Sequence, residues 1–120
     1  MVFNKKENKS TGNLGEDAAA EYLLNKGYKI LARNLRLSFG EIDILAGDKK
    51  TIVVVEVKTV RGAGFGLAQE LVRYKKQQKL MLLARAIEQQ YPTSTIRIDV
   101  IGVDFSRDKS SIEHLVNAVN

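Results

Sequence analysis

From Asn13 onward the apolar positions fall into blocks with a period near 3.6 or near 2, and the blocks predict the elements in order. Asn13 with Glu16 three places later matches a capping box. LGEDAAAEYLLNK then carries strong helix formers as far as Gly27, so a first helix is predicted over about residues 14 to 26. YKILARNLRL reads as a strand with poor alternation, Ser38, Phe39 and Gly40 as a turn, and GEIDILAG as a second strand. After the polar turn GDKK, TIVVVEVKT is the strongest strand signal: β-branched residues fill both parities, which predicts burial on both faces and a central place in the sheet.

RGAGFG, residues 61 to 66, reads as a loop. A long helix is predicted from about Ala68 to Gln90, with Leu80, Leu83, Ala84 and Ile87 at helical spacing and Pro92 closing it. STIRIDVIGVDF is a further strand, and IEHLVNAV fits either a short strand or a last helical turn. Residues 1 to 12 are polar and basic and read as a flexible arm, leaving 13–120 as a single domain. The order helix, three strands, helix, strand predicts a mixed β-sheet flanked by helices, in the α/β or α+β class.

Composition narrows the chemistry. The chain has no cysteine, which removes disulfides, thiolate zinc sites and cysteine nucleophiles, and its one histidine, His114, removes HExxH. A metal would have to sit among carboxylates, carbonyls and water, which favours Mg²⁺ or Mn²⁺. The net charge of +5 suits a polyanionic partner. No apolar run approaches the roughly 18 residues of a membrane span, and the N-terminus lacks the apolar segment of a secretory signal, so a cytoplasmic protein with no membrane partner is expected.

Two charges interrupt the central strand. Glu56 and Lys58 share a face with Ile52 and Val54, where an unpaired charge would cost several kcal/mol. The preceding strand offers Asp43. Residues directly opposite in an antiparallel pair share a face, so Asp43 and Glu56 are co-facial only where paired positions sum to an odd number. A turn centred between Asp48 and Lys49 makes them diagonal neighbours, one centred between Lys49 and Lys50 makes them face directly, and one centred on a single residue sets them on opposite faces. Two convergent carboxylates can hold a magnesium ion that keeps most of its waters. Lys58 would then orient or deprotonate an attacking water, or offset phosphate charge. A plain ion pair between Glu56 and Lys58, with Asp43 in turn chemistry, fits the same spacing.

GEIDILAGDKKTIVVVEVKT, residues 40 to 59, resembles the active-site hairpin of the PD-(D/E)XK nuclease superfamily, with Asp43 matching its acid and Glu56 and Lys58 its E-x-K. With LGEDAAAEYL, GYKILARN, FG, a Lys-rich helix, RIDVIGV and IEHLVNA, the chain from about Gly12 to Ala118 is similar to the YraN-like family of small bacterial proteins. The resemblance implies a restriction-endonuclease-like fold related to archaeal Holliday junction resolvases. It also implies a Mg²⁺- or Mn²⁺-dependent endonuclease acting on DNA, branched or single-stranded forms included, with Asp43, Glu56 and Lys58 catalytic. Asp43, Glu56 and the Val57 backbone carbonyl would be metal ligands, and a homodimer is expected by analogy with the junction-resolving relatives. Ile42 stands where the superfamily's name has proline. Val60 stands where a basic residue usually follows VEVKT, with Arg61 one place later.

Further residues follow with two readings each. Glu16 faces inward with Ala19, Ala20 and Leu23 and is either the capping-box acid or, as in related nucleases, a member of the metal site. Lys75, Lys76, Lys79 and Arg85 with Arg73 form either a phosphate-tracking face or a solvated one, and Gln77 matches a helical glutamine of some superfamily members. Arg33 and Asn34 are either nucleic-acid backbone contacts or polar positions of an edge strand, and Arg61 is a candidate nucleic-acid contact. Asp99 with Arg97 reads as a structural ion pair and His114 as structural, and RGAGFG departs from the dinucleotide fingerprint at Leu67. The rival to a nuclease is a non-catalytic module on the same fold that binds nucleic acid or docks to a partner.

Overall fold

The computed structural model describes residues 11–60, 74–105 and 111–119, with the side chains of residues 11, 12, 60 and 74–76 outside that set. It contains α1 (Thr11–Asn25), β1 (Lys29–Leu37), β2 (Gly40–Asp48), β3 (Thr51–Val60), α2 (Tyr74–Gln90), β4 (Thr95–Asp104) and β5 (Ser111–Leu115). This is the mixed α/β order expected, and the closing segment is a strand. Residues 1–10 of the arm expected over 1–12, the RGAGFG loop, Arg61, Arg73 and the side chains of Lys75 and Lys76 fall outside the described residues, and the last two positions of that arm, Thr11 and Gly12, belong to α1. Among the described residues no helix is long and apolar enough to cross a membrane.

The strands form one sheet in the order β1-β2-β3-β4-β5. The pairs β1/β2, β2/β3 and β4/β5 are antiparallel, and β3/β4 is parallel, the pairing that needs a crossover; α2 lies in it. Each helix covers one face. Ala19, Ala20 and Leu23 of α1 pack with Ile44, Ala46, Val53, Val55, Ile101 and Val103, whereas Leu80, Leu83 and Ile87 of α2 pack with Ile42, Leu45, Ile52, Val54 and Ile98. The valine run of β3 feeds both cores, which is why it lacks alternation.

α1 stops as its sequence dictates. Gly27 has φ 97°, its amide donates to Leu24 O, and the Tyr28 amide donates to Leu23 O, a Schellman arrangement that satisfies two carbonyls at the helix end. Its start differs from expectation. The helix begins at Thr11, so Asn13 lies inside the first turn and not at the N-cap position that a capping box requires.

The β2–β3 ladder runs from Asp48↔Thr51 to Ile44↔Val55, leaving Lys49 and Lys50 as a two-residue turn with Lys49 at φ 59°. The turn therefore centres between Lys49 and Lys50. Alternation then breaks beside it in β2: Ile42 joins the α2 core while Ile44 joins the α1 core, although residues two apart in a strand normally share a face. The break falls at Asp43. Across from it in β1, Asn34 has φ 52° and the β1–β2 pairing passes from Arg33↔Ile44 to Leu35↔Ile42 without it. Asp43, the left-handed Asn34 and the end of the β2–β3 ladder thus fall at one place in the sheet.

Candidate functional site

Extending the hairpin register one step beyond Ile44↔Val55 sets Asp43 opposite Glu56. The strands do not continue their ladder there. The Asp43 carboxylate instead accepts a hydrogen bond from the Val57 amide at 2.8 Å. An extended residue directs its N–H and C=O to the same edge, so the Val57 carbonyl also faces the β2 side. Asp43, Glu56, Glu41, Lys79, Leu80 and Leu83 line a cavity of about 260 Å³ between the hairpin and α2.

The surroundings disfavour charge on the Asp43 carboxylate. Burial raises the Asp43 pKa to about 7, reinforced by the charges of Glu56, Glu16 and Glu41 and opposed by the Val57 amide. Glu16 is brought close because Gly15, buried and without a side chain, lets α1 rest on the side chain of Thr59 at the end of β3. Burial lifts the Glu16 pKa as well. Asn34, donating from Nδ2 at 2.9 Å, and the nearby Arg33 guanidinium at 3.9 Å pull it back, while Glu41 and Asp17 add to the rise. Asp43 thus feels three other carboxyl groups, Glu16 from α1, Glu41 from its own strand and Glu56 from β3.

The donor set fits a hard divalent ion in type, since Asp43, Glu56 and the Val57 carbonyl all present oxygen. Among the described residues no three His, Asp or Glu side chains stand close enough to enclose a metal on their own.

Other expected residues are placed differently from one another. Lys58 follows Glu56 by two positions, is exposed and is not among the residues lining the cavity. Lys79 does line it. Gln77 is half-buried at the start of α2 and does not line it. Arg33 donates from Nη2 to Asp17 at 2.7 Å, and Asn34 holds Glu16, so both brace α1 against β1. Glu41 was missed by sequence reasoning; its one signal is that it stands two places before Asp43 in GEID.

Asp99 is fully buried and structural, as expected. The Arg97 guanidinium grips both its oxygens at 2.9 and 3.0 Å, the Asn117 amide donates at 3.0 Å, and His114 Nε2 lies 2.7 Å away. A carboxylate only accepts, so His114 Nε2 is the donor, and its Nδ1 lies 3.0 Å from the Tyr22 hydroxyl, a hydrogen-bond distance. Burial opposes the Asp99 charge, yet the hydrogen bonds from His114, Arg97 and the Asn117 amide hold its pKa below the usual range. His114 is structural, but as a link between α1 and β4 that its sequence neighbours do not announce.

The model of an uncharacterised protein family, UPF0102, matches residues 15–103. A UPF0102 protein of Desulforamulus reducens is 40% identical over 119 residues, covering 94% of this chain and 98% of the relative. One from Caldanaerobacter subterraneus is 42% identical over 120 residues, covering 95% and 98%, and one from Thermodesulfovibrio yellowstonii 47% identical over 111 residues, covering 89% and 93%. The chain belongs to the family UPF0102, the YraN-like family whose motifs it carries.

Proposed function

We propose that the protein is a cytoplasmic, metal-dependent nuclease of the PD-(D/E)XK type that hydrolyses DNA phosphodiester bonds, preferring a particular DNA structure such as a branch or single strand. One observation carries this reading: the two-residue Lys49–Lys50 turn sets Asp43 opposite Glu56 at the wall of one cavity. Magnesium or manganese bound to these oxygens would lower the pKa of a bound water and stabilise charge building on the phosphate.

Hydrolysis joins a water oxygen to phosphorus while the ester P–O bond in line with it breaks. The water gives up a proton, the departing oxygen gains one, and a phosphate monoester and a free hydroxyl result. Asp43 and Glu56 would hold the metal with the Val57 carbonyl. Glu16, pinned by Asn34, orients the cluster from the α1 side. Lys58, at the exposed rim, meets the phosphate or the attacking water.

One observation favours the non-catalytic binding module: Lys58 lies outside the lining of the acidic cavity. A cleavage assay separates the two readings. Duplex, flap, single-stranded and four-way junction DNA are incubated with magnesium, manganese or chelator, comparing wild type with Asp43→Ala and Lys58→Ala. Metal-dependent cutting that falls at least about 100-fold in both variants supports the nuclease. Full DNA affinity with no cutting by any preparation favours the binding module.

A further inference from the structure

Lys79 reaches the acidic cavity from α2 and is the sole cation among the described residues that line it, in company with Glu41, Asp43 and Glu56. Its stem runs over Gly40. A Cβ built on Gly40 would lie 2.9 Å from Lys79 Cε and 3.6 Å from its Nζ, so the missing side chain at the start of β2 is what admits this lysine. Lys79 is exposed, as is Lys58, the base that the spacing singles out, but of the two only Lys79 is among the lining residues.

We propose that Lys79 is the resident counter-ion of the acidic cavity, giving way to a divalent cation and then engaging a substrate phosphate. The proposal rests on the metal-dependent reading above and adds an order of events, metal before phosphate. Two cations drawn to the same carboxylates oppose each other, so an ammonium at the cavity wall weakens metal binding. With a cation on the carboxylates, the Lys79 ammonium would be pushed from them and drawn to an arriving phosphate. A flexible four-carbon stem lets lysine move between the two positions. Lys79 thus acts with opposite sign on the two ligands, which a lysine on a solvated helix face would not do.

The test titrates manganese calorimetrically into the wild-type chain, Lys79→Gln and Gly40→Ala. It also follows junction-DNA affinity against salt by fluorescence anisotropy with calcium as a non-redox hard ion. Gly40→Ala is mild, because the added methyl mainly meets the far end of a flexible side chain. Lys79→Gln is expected to bind manganese about three- to tenfold more tightly and to lower the log–log salt slope of DNA binding by about 0.9. Gly40→Ala, which displaces the ammonium but keeps its charge on α2, is expected to tighten manganese binding in the same direction with a smaller change in slope.

Manganese affinities within about twofold of wild type in both variants, or an unchanged salt slope in Lys79→Gln, would overturn the proposal. Glu56→Gln keeps this failure apart from that of the underlying reading. If wild type binds manganese, Glu56→Gln does not, and Lys79→Gln matches wild type, only the counter-ion role is lost. If wild type binds no manganese, the metal-dependent reading falls and this proposal with it.

Discussion

Asp43 titrates at about 7 in the folded chain because burial opposes its charge and Glu56, Glu16 and Glu41 add to the cost. In an unfolded chain it loses its proton near 3.9. Between those values the native state holds a proton that the unfolded state has released, so the stabilisation tied to protonated Asp43 is complete below about pH 4 and is lost as pH rises through about 7. Asp43→Asn keeps the shape and an acceptor for the Val57 amide but never ionises. It is expected to be more stable than wild type by ~1–3 kcal/mol at pH 8, after discounting for solvent screening, with the difference shrinking toward zero at pH 4. Urea unfolding across that range measures it, and a difference flat with pH would contradict the assignment. Asp43 and Glu56 were legible as a pair because parity and chain reversal constrain them. The Tyr22 and Asp99 contacts of His114 were not, since they span 92 and 15 positions and no local pattern encodes them.

At the scale of elements, the hairpin decides whether a site exists. Three turn placements were open, and the choice depended on a non-glycine residue accepting a left-handed backbone, as Lys49 does at φ 59°. Lysine carries a Cβ penalty there that asparagine tolerates better. Lys49→Asn is expected to gain ~0.5 kcal/mol, seen as a higher urea midpoint with an unchanged slope. A loss of stability would mean that the Lys49 side chain contributes more than its backbone strain costs. Strict alternation was also the wrong assumption for β2. Asn34 leaves the β region and Asp43 spends its carboxylate on the Val57 amide, so the strand shifts face between Ile42 and Ile44. That shift falls at Asp43, on which Glu56 from the α2 side and Glu16 from α1 both act. The helix start was misplaced for a similar reason: Asn13 and Glu16 have capping-box spacing, but Glu16 is held by Asn34 across the fold.

Across the whole molecule, the central valine strand, the helix on each face and the element order were readable from periodicity, because burial on two faces leaves a continuous apolar run. What fastens the far edge was not. Asp99 on β4 joins Arg97 on its own strand, His114 on β5, the Asn117 amide after it, and through His114 the Tyr22 hydroxyl of α1. Arg97 also donates to Tyr28 at 2.8 Å and approaches Asp48 at 3.7 Å, so one fully buried carboxylate organises contacts from α1 to the C-terminal segment. Removing it strands a guanidinium and an imidazole with their main acceptor gone. Asp99→Ala is expected to cost ~3–5 kcal/mol, a large part of a small domain's total stability. Replacing the pair together, Arg97→Met with Asp99→Leu, removes the uncompensated charge and should cost less than Asp99→Ala alone, because apolar groups of similar volume can take the place of a buried ion pair. Urea midpoints of the three chains test this. A double variant as unstable as Asp99→Ala would shift the weight from the Arg97 pair to the His114 and Asn117 bonds, which both variants lose, and would identify the β5 attachment as the contact that the buried carboxylate mainly serves.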